Sequence, residues 1–198
     1  DLISLPPIVD RLRTWMQHPQ LVNTWAIDKT LGTPWGGWHR GLNPDDYTVR
    51  QGKVRTRMLN CVLLLTDNGP DDGCLAVVPG AHKSEIDLPM ADYRSRELPG
   101  TMRVTGQAGD VVMFSETLLH TGTNKTTDGH RTNLYFNYID ATYNPAMREL
   151  LAGNQGNINH YVFPPEVRAR FNETQRELTQ WMEWQRVAPA AESEKCPD

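Results

Sequence analysis

The sequence predicts a mainly β fold of the sandwich or jelly-roll type, with a helix at each end of the chain. Between residues 54 and 139, short β-like runs alternate with clusters of glycine, asparagine, aspartate and proline. Short strands at regular spacing, separated by turn residues, are typical of antiparallel sandwiches and jelly rolls. A βαβ fold would alternate such runs with helical patterns instead.

The first helix is predicted over residues 7–17, because two prolines at its start suit a first helical turn. Its apolar residues recur at helical spacing, and they are Ile8, Leu12, Trp15 and Met16. A residue before proline avoids the helical region, so the helix ends before Pro19. Residues 20–31 fit either a short helix or a strand, and the glycines and prolines of 32–37 then predict a loop.

Five β runs are predicted in the central region, each bounded by turn residues. They cover residues 54–66, 74–78, 101–104, 110–114 and 131–139. A last helix is predicted from Pro164 to about Arg186, since its apolar residues share one helical face. We expect one domain over residues 1–186 and a loose tail over 187–198.

Composition and charge exclude several classes of protein. The 198 residues are 38% hydrophobic and 22% charged, as in an ordinary globular domain. The formal net charge is −4, and the sequence has no block of basic residues that could bind along a phosphate backbone. We therefore expect no nucleic-acid partner. No apolar run approaches the roughly 18 residues of a membrane span. Three scattered cysteines predict a reducing compartment, and we expect a cytoplasmic protein.

Two histidines mark the candidate site, because each lies next to a predicted strand end. His39 follows the loop rich in glycine and tryptophan, and His120 follows the strand 110–114. Two histidines 81 residues apart are more often unrelated than joint ligands. The case is strengthened by Arg131, which starts an apolar strand 11 residues after His120. An arginine there costs desolvation unless it meets an anion, and its planar fork suits a carboxylate.

Four segments carry a family resemblance. They are WHRG at 38–41, LNCVLLLTD at 59–67, DDGCLAVVPGAHKS at 71–84 and GDVVMFSETLLHTGTNKTTDGHR at 109–131. In sequence and in order they resemble the phytanoyl-CoA dioxygenase family of non-haem iron, 2-oxoglutarate-dependent oxygenases. The resemblance covers about residues 35–140 and implies a double-stranded β-helix, which is a jelly-roll or cupin-like fold. It also implies that the usual N-terminal part of the family fold is missing.

The resemblance implies an Fe(II)- and 2-oxoglutarate-dependent dioxygenase that uses O2 to hydroxylate a C–H bond of a small-molecule substrate. His39 and His120 would bind Fe(II), and Arg131 would hold the distal carboxylate of 2-oxoglutarate. Arg57 and Asn60, on the strand that starts at residue 54, are candidates for the near carboxylate of the cosubstrate.

One residue departs from the family pattern. The usual His-x-Asp motif places two histidines and a carboxylate on one face of the iron, whereas Gly41 stands at the third position here. In one interpretation, Glu116, Asp45 or Asp46 replaces the carboxylate, or Glu116 orients a ligand histidine. Four residues of straight strand span about 13 Å, so Glu116 and His120 can share an ion only across a turn.

The sequence leaves two alternatives open. In a halogenase, chloride would take the vacancy at Gly41, because loss of the carboxylate makes the site more positive by about one unit. Iron/2-oxoglutarate halogenases resemble hydroxylases whose acidic ligand is replaced by Gly or Ala. In the second alternative, the chain is an inactive jelly-roll module that binds a ligand without turnover. The sequence favours altered ligation over these two, and it does not reveal the substrate.

Overall fold

The computed structural model describes residues 2–84, 96–142 and 163–180. In these residues, nine strands lie between one N-terminal helix and two short C-terminal helices. The helices are α1 (Pro6–Trp15), α2 (Pro165–Arg168) and α3 (Glu173–Leu178). The strands are β1 (Pro19–Lys29), β2 (Tyr47–Arg50), β3 (Lys53–Thr56), β4 (Met58–Leu64), β5 (Leu75–Val77), β6 (Met102–Val104), β7 (Val111–Ser115), β8 (His120–Gly122) and β9 (Arg131–Asp140). No described helix is both long enough and apolar enough to cross a membrane.

Two antiparallel sheets form a sandwich. The larger has the order β1-β9-β4-β7, the smaller has the order β6-β5-β8, and β2 and β3 form a separate hairpin. Apolar side chains of both sheets meet in one core, which includes Val62, Leu64, Leu75, Val77 and Phe114. This arrangement confirms the predicted mainly β fold of the jelly-roll type.

Strand β4 is buried on both faces. Leu59, Cys61 and Leu63 pack in the cluster formed with the helices. Val62 and Leu64 point to the opposite side, into the core between the sheets. A strand buried on both faces has a continuous apolar sequence, because both alternating sets of side chains avoid water. The apolar residues of β4 therefore form an inner strand of the larger sheet.

Helix α1 covers the outer face of the larger sheet. Its side chains Ile8 and Leu12 pack with Leu21 of β1, Tyr138 of β9 and Leu178 of α3. The hydroxyl of Tyr138 donates a hydrogen bond to the carbonyl of Ile3 at 2.8 Å, so the polar end of this buried ring is satisfied. The predicted helix 7–17 is thus present, with its end two residues earlier.

The strands differ from the sequence prediction in three places. Residues 54–66 form two strands, since β3 pairs with β2 and β4 enters the larger sheet. Strand β2 was not predicted, although Gln51 and Gly52 form its hairpin turn with φ of 51° and 72°. Strand β8 was also not predicted, because its three residues begin a loop rich in polar residues.

Strand pairing settles the ambiguous segment near the N-terminus, and a capping box divides the helix predicted near the C-terminus. Residues 19–29 are a strand because they pair with β9 over its whole length. The predicted C-terminal helix is interrupted, since Asn172 caps a new helix through a capping box with Gln175. The rest of that helix, and the tail over 187–198, lie outside the described residues.

Candidate metal and carboxylate site

His39 and His120 lie side by side. Their backbones form an isolated antiparallel bridge, in which the N–H of each residue donates to the carbonyl of the other at 3.0 Å. The centroids of the two imidazole rings are 4.2 Å apart. The fold therefore brings together two histidines that are 81 residues apart in the sequence.

Both imidazoles are oriented by backbone carbonyls. Nδ1 of His39 lies 2.8 Å from the carbonyl of Gly37, and Nδ1 of His120 lies 2.8 Å from the carbonyl of Leu118. Because a carbonyl only accepts, each Nδ1 carries the hydrogen and each Nε2 keeps its lone pair. Burial lowers the pKa of His120, against an opposing effect of Glu116 and with a further lowering by His39. A neutral imidazole with a fixed tautomer is the form that binds a metal ion.

Glu116 reaches the same site because the chain turns directly after β7. The N–H of Leu118 donates to the carbonyl of Ser115 at 2.9 Å, which closes this turn before β8 begins. The backbone N–H of Gly41 donates to Oε2 of Glu116 at 3.0 Å. The turn that the sequence required for Glu116 and His120 to meet is thus present.

The predicted vacancy at Gly41 is filled. A Cβ atom placed on Gly41 would lie 2.5 Å from Oε2 and 3.2 Å from Cδ of Glu116. The halogenase alternative expects an open position for chloride at Gly41, whereas the carboxylate of Glu116 lies in that space. A carboxylate there also repels an anion.

Hydrogen bonds from buried amide side chains fix the carboxylate of Glu116. Asn60 of β4 donates to Oε1 of Glu116, and Asn137 of β9 donates to Oδ1 of Asn60. Asn60 and Asn137 are direct partners in the register of the two strands. Asn60 was a candidate for the near carboxylate of the cosubstrate, and it lies in the wall of the pocket with its amide hydrogen-bonded to Glu116 and Asn137.

The other predicted polar residues lie elsewhere. Arg57 is not among the residues that line the pocket, and its Nε pairs with Oδ1 of Asp46 at 2.8 Å. This placement goes against the predicted contact of Arg57 with the cosubstrate, because Arg57 lies between β3 and β4 and its guanidinium pairs with Asp46. Asp45 is exposed in a 3₁₀ turn, and neither Asp45 nor Asp46 lines the pocket.

Two buried cations lie in the wall of the same pocket. Arg131 is 2% exposed and Lys29 is 8% exposed, and both line the same cavity as the histidines. Nη2 of Arg131 donates to the carbonyl of Gly73 at 2.5 Å, and Nζ of Lys29 donates to the carbonyl of Thr123 at 2.5 Å. Burial, and secondly the charge of Arg131, lower the pKa of Lys29 to about 8.

These cations lack an anionic partner in the part of the chain that the structure describes. Neither forms an ion pair with a described carboxylate. The Nε–H of Arg131 is buried and meets no acceptor among the described residues. Because a buried charge is costly unless it is paired, these two side chains are suited to bind an anion of the ligand. A carboxylate matches the fork of the guanidinium.

The pocket has a volume of about 360 Å³. On one wall, Trp25 and Tyr135 stack with centroids 5.1 Å apart and an interplanar angle of 6°. Within the described residues, no three His, Cys, Asp or Glu side chains form a preassembled metal site. The two adjacent imidazoles in the pocket are the part of such a site that is already assembled.

Sequence reasoning missed Lys29 and Trp25, both on β1. They were missed because the sequence pattern of residues 20–31 fits either a short helix or a strand. In a strand, Trp25, Ile27 and Lys29 share one face through the period of two, and all three line the pocket. A firm strand assignment would have placed them together.

Comparisons with known proteins give a family and a fold. A sequence profile of the phytanoyl-CoA dioxygenase family matches residues 3–133. An ectoine dioxygenase from Stutzerimonas stutzeri is 30% identical over 129 residues, which cover 52% of this chain and 41% of that protein. An ectoine dioxygenase from Bordetella bronchiseptica is 28% identical over 132 residues, with coverage of 54% and 42%. The chain thus spans about two-fifths of the length of these curated relatives.

Solved structures share the architecture. Apo HygX from Streptomyces hygroscopicus aligns with a TM-score of 0.62 at 22% identity, covering 71% of this chain and 66% of that chain. HygX with nickel, 2-oxoglutarate and hygromycin B bound aligns with a TM-score of 0.59 at 23% identity, covering 71% and 64%. At this identity the likeness establishes the fold.

Proposed function

The chain belongs to the phytanoyl-CoA dioxygenase family, and from this membership we propose that it is an Fe(II)- and 2-oxoglutarate-dependent oxygenase that hydroxylates a small molecule. One observation carries the proposal. A single pocket is lined by two imidazoles with free Nε2 atoms. Two buried cations without a carboxylate partner among the described residues line the same pocket. A metal ion that is chelated by a dicarboxylate needs both kinds of group in one pocket.

The residues present fit this metal and cosubstrate. His39 and His120 would hold the iron through Nε2, because their Nδ1 atoms are bound to carbonyls. Arg131 would grip the distal carboxylate of 2-oxoglutarate, with Lys29 beside it. When bound, iron, 2-oxoglutarate and O2 supply the oxidising chemistry, and the protein supplies position and exclusion of water.

The two cations would also select the charge of the cosubstrate. Burial and the nearby charge of Arg131 destabilise the protonated form of Lys29, as its lowered pKa indicates. An incoming carboxylate stabilises both cations and raises the pKa of Lys29 again. We therefore expect a strong preference for a dicarboxylate over the corresponding monoacid, which would leave the two cations unpaired.

A small-molecule substrate is supported by the relatives. Two curated relatives are named ectoine dioxygenase, and one neighbouring structure holds hygromycin B. The stacked rings of Trp25 and Tyr135 would give the substrate a flat, apolar wall. We place the reaction in the reducing cytoplasm, in keeping with the buried free thiols of Cys61 and Cys74.

The experiment is anaerobic titration of the intact chain with Fe(II) and 2-oxoglutarate. Chelation gives a weak visible charge-transfer band, which His39→Ala and His120→Ala should abolish. His18→Ala is the matched control, because His18 is exposed and does not line the pocket. A chain that gives no band, or a band that survives the loss of either pocket histidine, would refute the proposal.

A further inference from the structure

The carboxylate of Glu116 lies where the side chain of residue 41 would lie. Its Oε2 is 2.5 Å from the position of a Cβ on Gly41. This is about the separation between the Cβ and a carboxylate oxygen within one aspartate side chain. Glu116 thus reaches from the β7–β8 turn into the space that an aspartate at position 41 would fill from the other side.

We infer that Glu116 supplies the carboxylate that the His-x-Gly sequence lacks, so that a bound metal ion brings His39, His120 and Glu116 together as one ligand set that is not preassembled in the free chain. The inference rests on the proposed function, and it assigns the third ligand of that same site. It also explains why residue 41 is glycine, since any larger residue would collide with Glu116.

The hydrogen bonds to Glu116 fix its carboxylate and still leave its oxygens able to bind a cation. Gly41 N–H donates to Oε2, and Asn60 donates to Oε1. Each carboxylate oxygen accepts more than one bond, so Glu116 can keep both donors and still bind a cation. Amide donors behind a metal-binding carboxylate fix its direction, as outer partners of metal ligands do.

The charge balance of the site agrees with this assignment. Glu116 is 8% exposed, and neither of its two hydrogen-bond donors is a cation. A buried carboxylate without a positive partner is costly, and a divalent metal beside the imidazoles would compensate it. With Glu116 in the set, the site has the same formal charge as a site with two histidines and an aspartate.

The test first removes the carboxylate at residue 116 and then supplies one at residue 41. Co(II) binding to the intact chain is measured by calorimetry and by the visible d–d spectrum, in the absence of turnover. Glu116→Gln and Glu116→Ala should each weaken Co(II) binding by at least about 100-fold, the upper end of what loss of an outer partner costs. Asp45→Asn removes one negative charge outside the pocket and should leave the affinity unchanged.

The decisive variant is Gly41→Asp combined with Glu116→Ala. Gly41 does not have a positive φ, so its backbone accepts an aspartate. The double variant should recover Co(II) affinity to within about tenfold of the intact chain, while Gly41→Asp alone should bind worse than the double variant. The single variant suffers both the collision with Oε2 and the repulsion of two carboxylates.

Chloride provides a second readout. Added chloride should leave the Co(II) spectrum of the intact chain unchanged and should alter that of Glu116→Ala, where a position has been opened. Circular dichroism and thermal melting confirm that each variant is folded.

The outcomes separate this inference from the proposed function. If Co(II) binding depends on His39 and His120 but Glu116→Gln behaves like Asp45→Asn, the inference is overturned and the proposed function stands. If the double variant does not recover binding although it folds, Glu116 acts only through a histidine, and the inference is again overturned. If the intact chain binds no Co(II), both fail.

Discussion

Lys29 and Arg131 are direct partners in the larger sheet, at the last residue of β1 and the first residue of β9. Both side chains are buried, and both line the pocket that contains the two histidines. Two adjacent buried cations are unfavourable unless a ligand brings negative charge. This pair is therefore the site that we propose for recognition of the cosubstrate carboxylate.

The pKa of Lys29 predicts how cosubstrate binding depends on pH. Since burial and the charge of Arg131 lower this pKa to about 8, the lysine of the free protein loses its proton as the pH rises through that value. The affinity for 2-oxoglutarate, measured with Co(II) present, should fall by about tenfold or more between pH 7 and pH 9.5. In Lys29→Met the affinity should be lower at pH 7 and nearly flat over this range. An equal slope in both proteins would disprove the assignment.

Replacement of Arg131 should act on the cosubstrate and not on the metal. In Arg131→Lys the planar fork is lost while the charge remains, so we expect 2-oxoglutarate to bind about 10- to 100-fold more weakly. The Co(II) affinity should be unchanged, since a guanidinium is not a metal ligand and the positive charge is kept in this variant. Calorimetric titration of each ligand separately checks this division. A parallel loss of both affinities would show that Arg131 instead supports the fold of the site.

Removal of the Asn60 amide should reduce both stability and metal affinity. Asn60→Ala leaves Oε1 of Glu116 and Nδ2 of Asn137 without their partner. We expect a loss of about 2–4 kcal/mol in the free energy of unfolding and a Co(II) affinity reduced by about tenfold. Val62→Ala is the matched control, because it removes buried volume from the same strand without touching a hydrogen bond. This control should lose stability and keep its Co(II) affinity.

The packing of α1 predicts a purely structural effect. Leu12 is fully buried in the cluster between α1 and the larger sheet. Leu12→Ala should lower the free energy of unfolding by about 2–5 kcal/mol, as other large-to-small core changes do. Leu31→Ala, at a position that is 57% exposed, should change it by less than about 0.5 kcal/mol. Urea unfolding followed by tryptophan fluorescence measures both.

Local sequence patterns were sufficient for the fold class and for most strands, whereas the joint role of the two histidines was expected from the family resemblance. Alternation and turn residues depend on neighbours along the chain, so they can be read without knowing which strands pair. The same patterns could not separate helix from strand in residues 20–31, and so Lys29 was missed. Pairing with β9 decides that conformation, and pairing is a contact between distant residues.

By itself, the sequence determined that this chain forms a mainly β sandwich, that His39, His120 and Arg131 are its candidate chemical residues, and that position 41 lacks a carboxylate. Only the tertiary structure decided that Glu116 lies in the space beside Gly41, that Arg57 lies away from the pocket and that Lys29 joins Arg131. The reason is physical. A missing side chain is visible in one segment, whereas the group that fills its space comes from another segment and is positioned by a turn and by strand register.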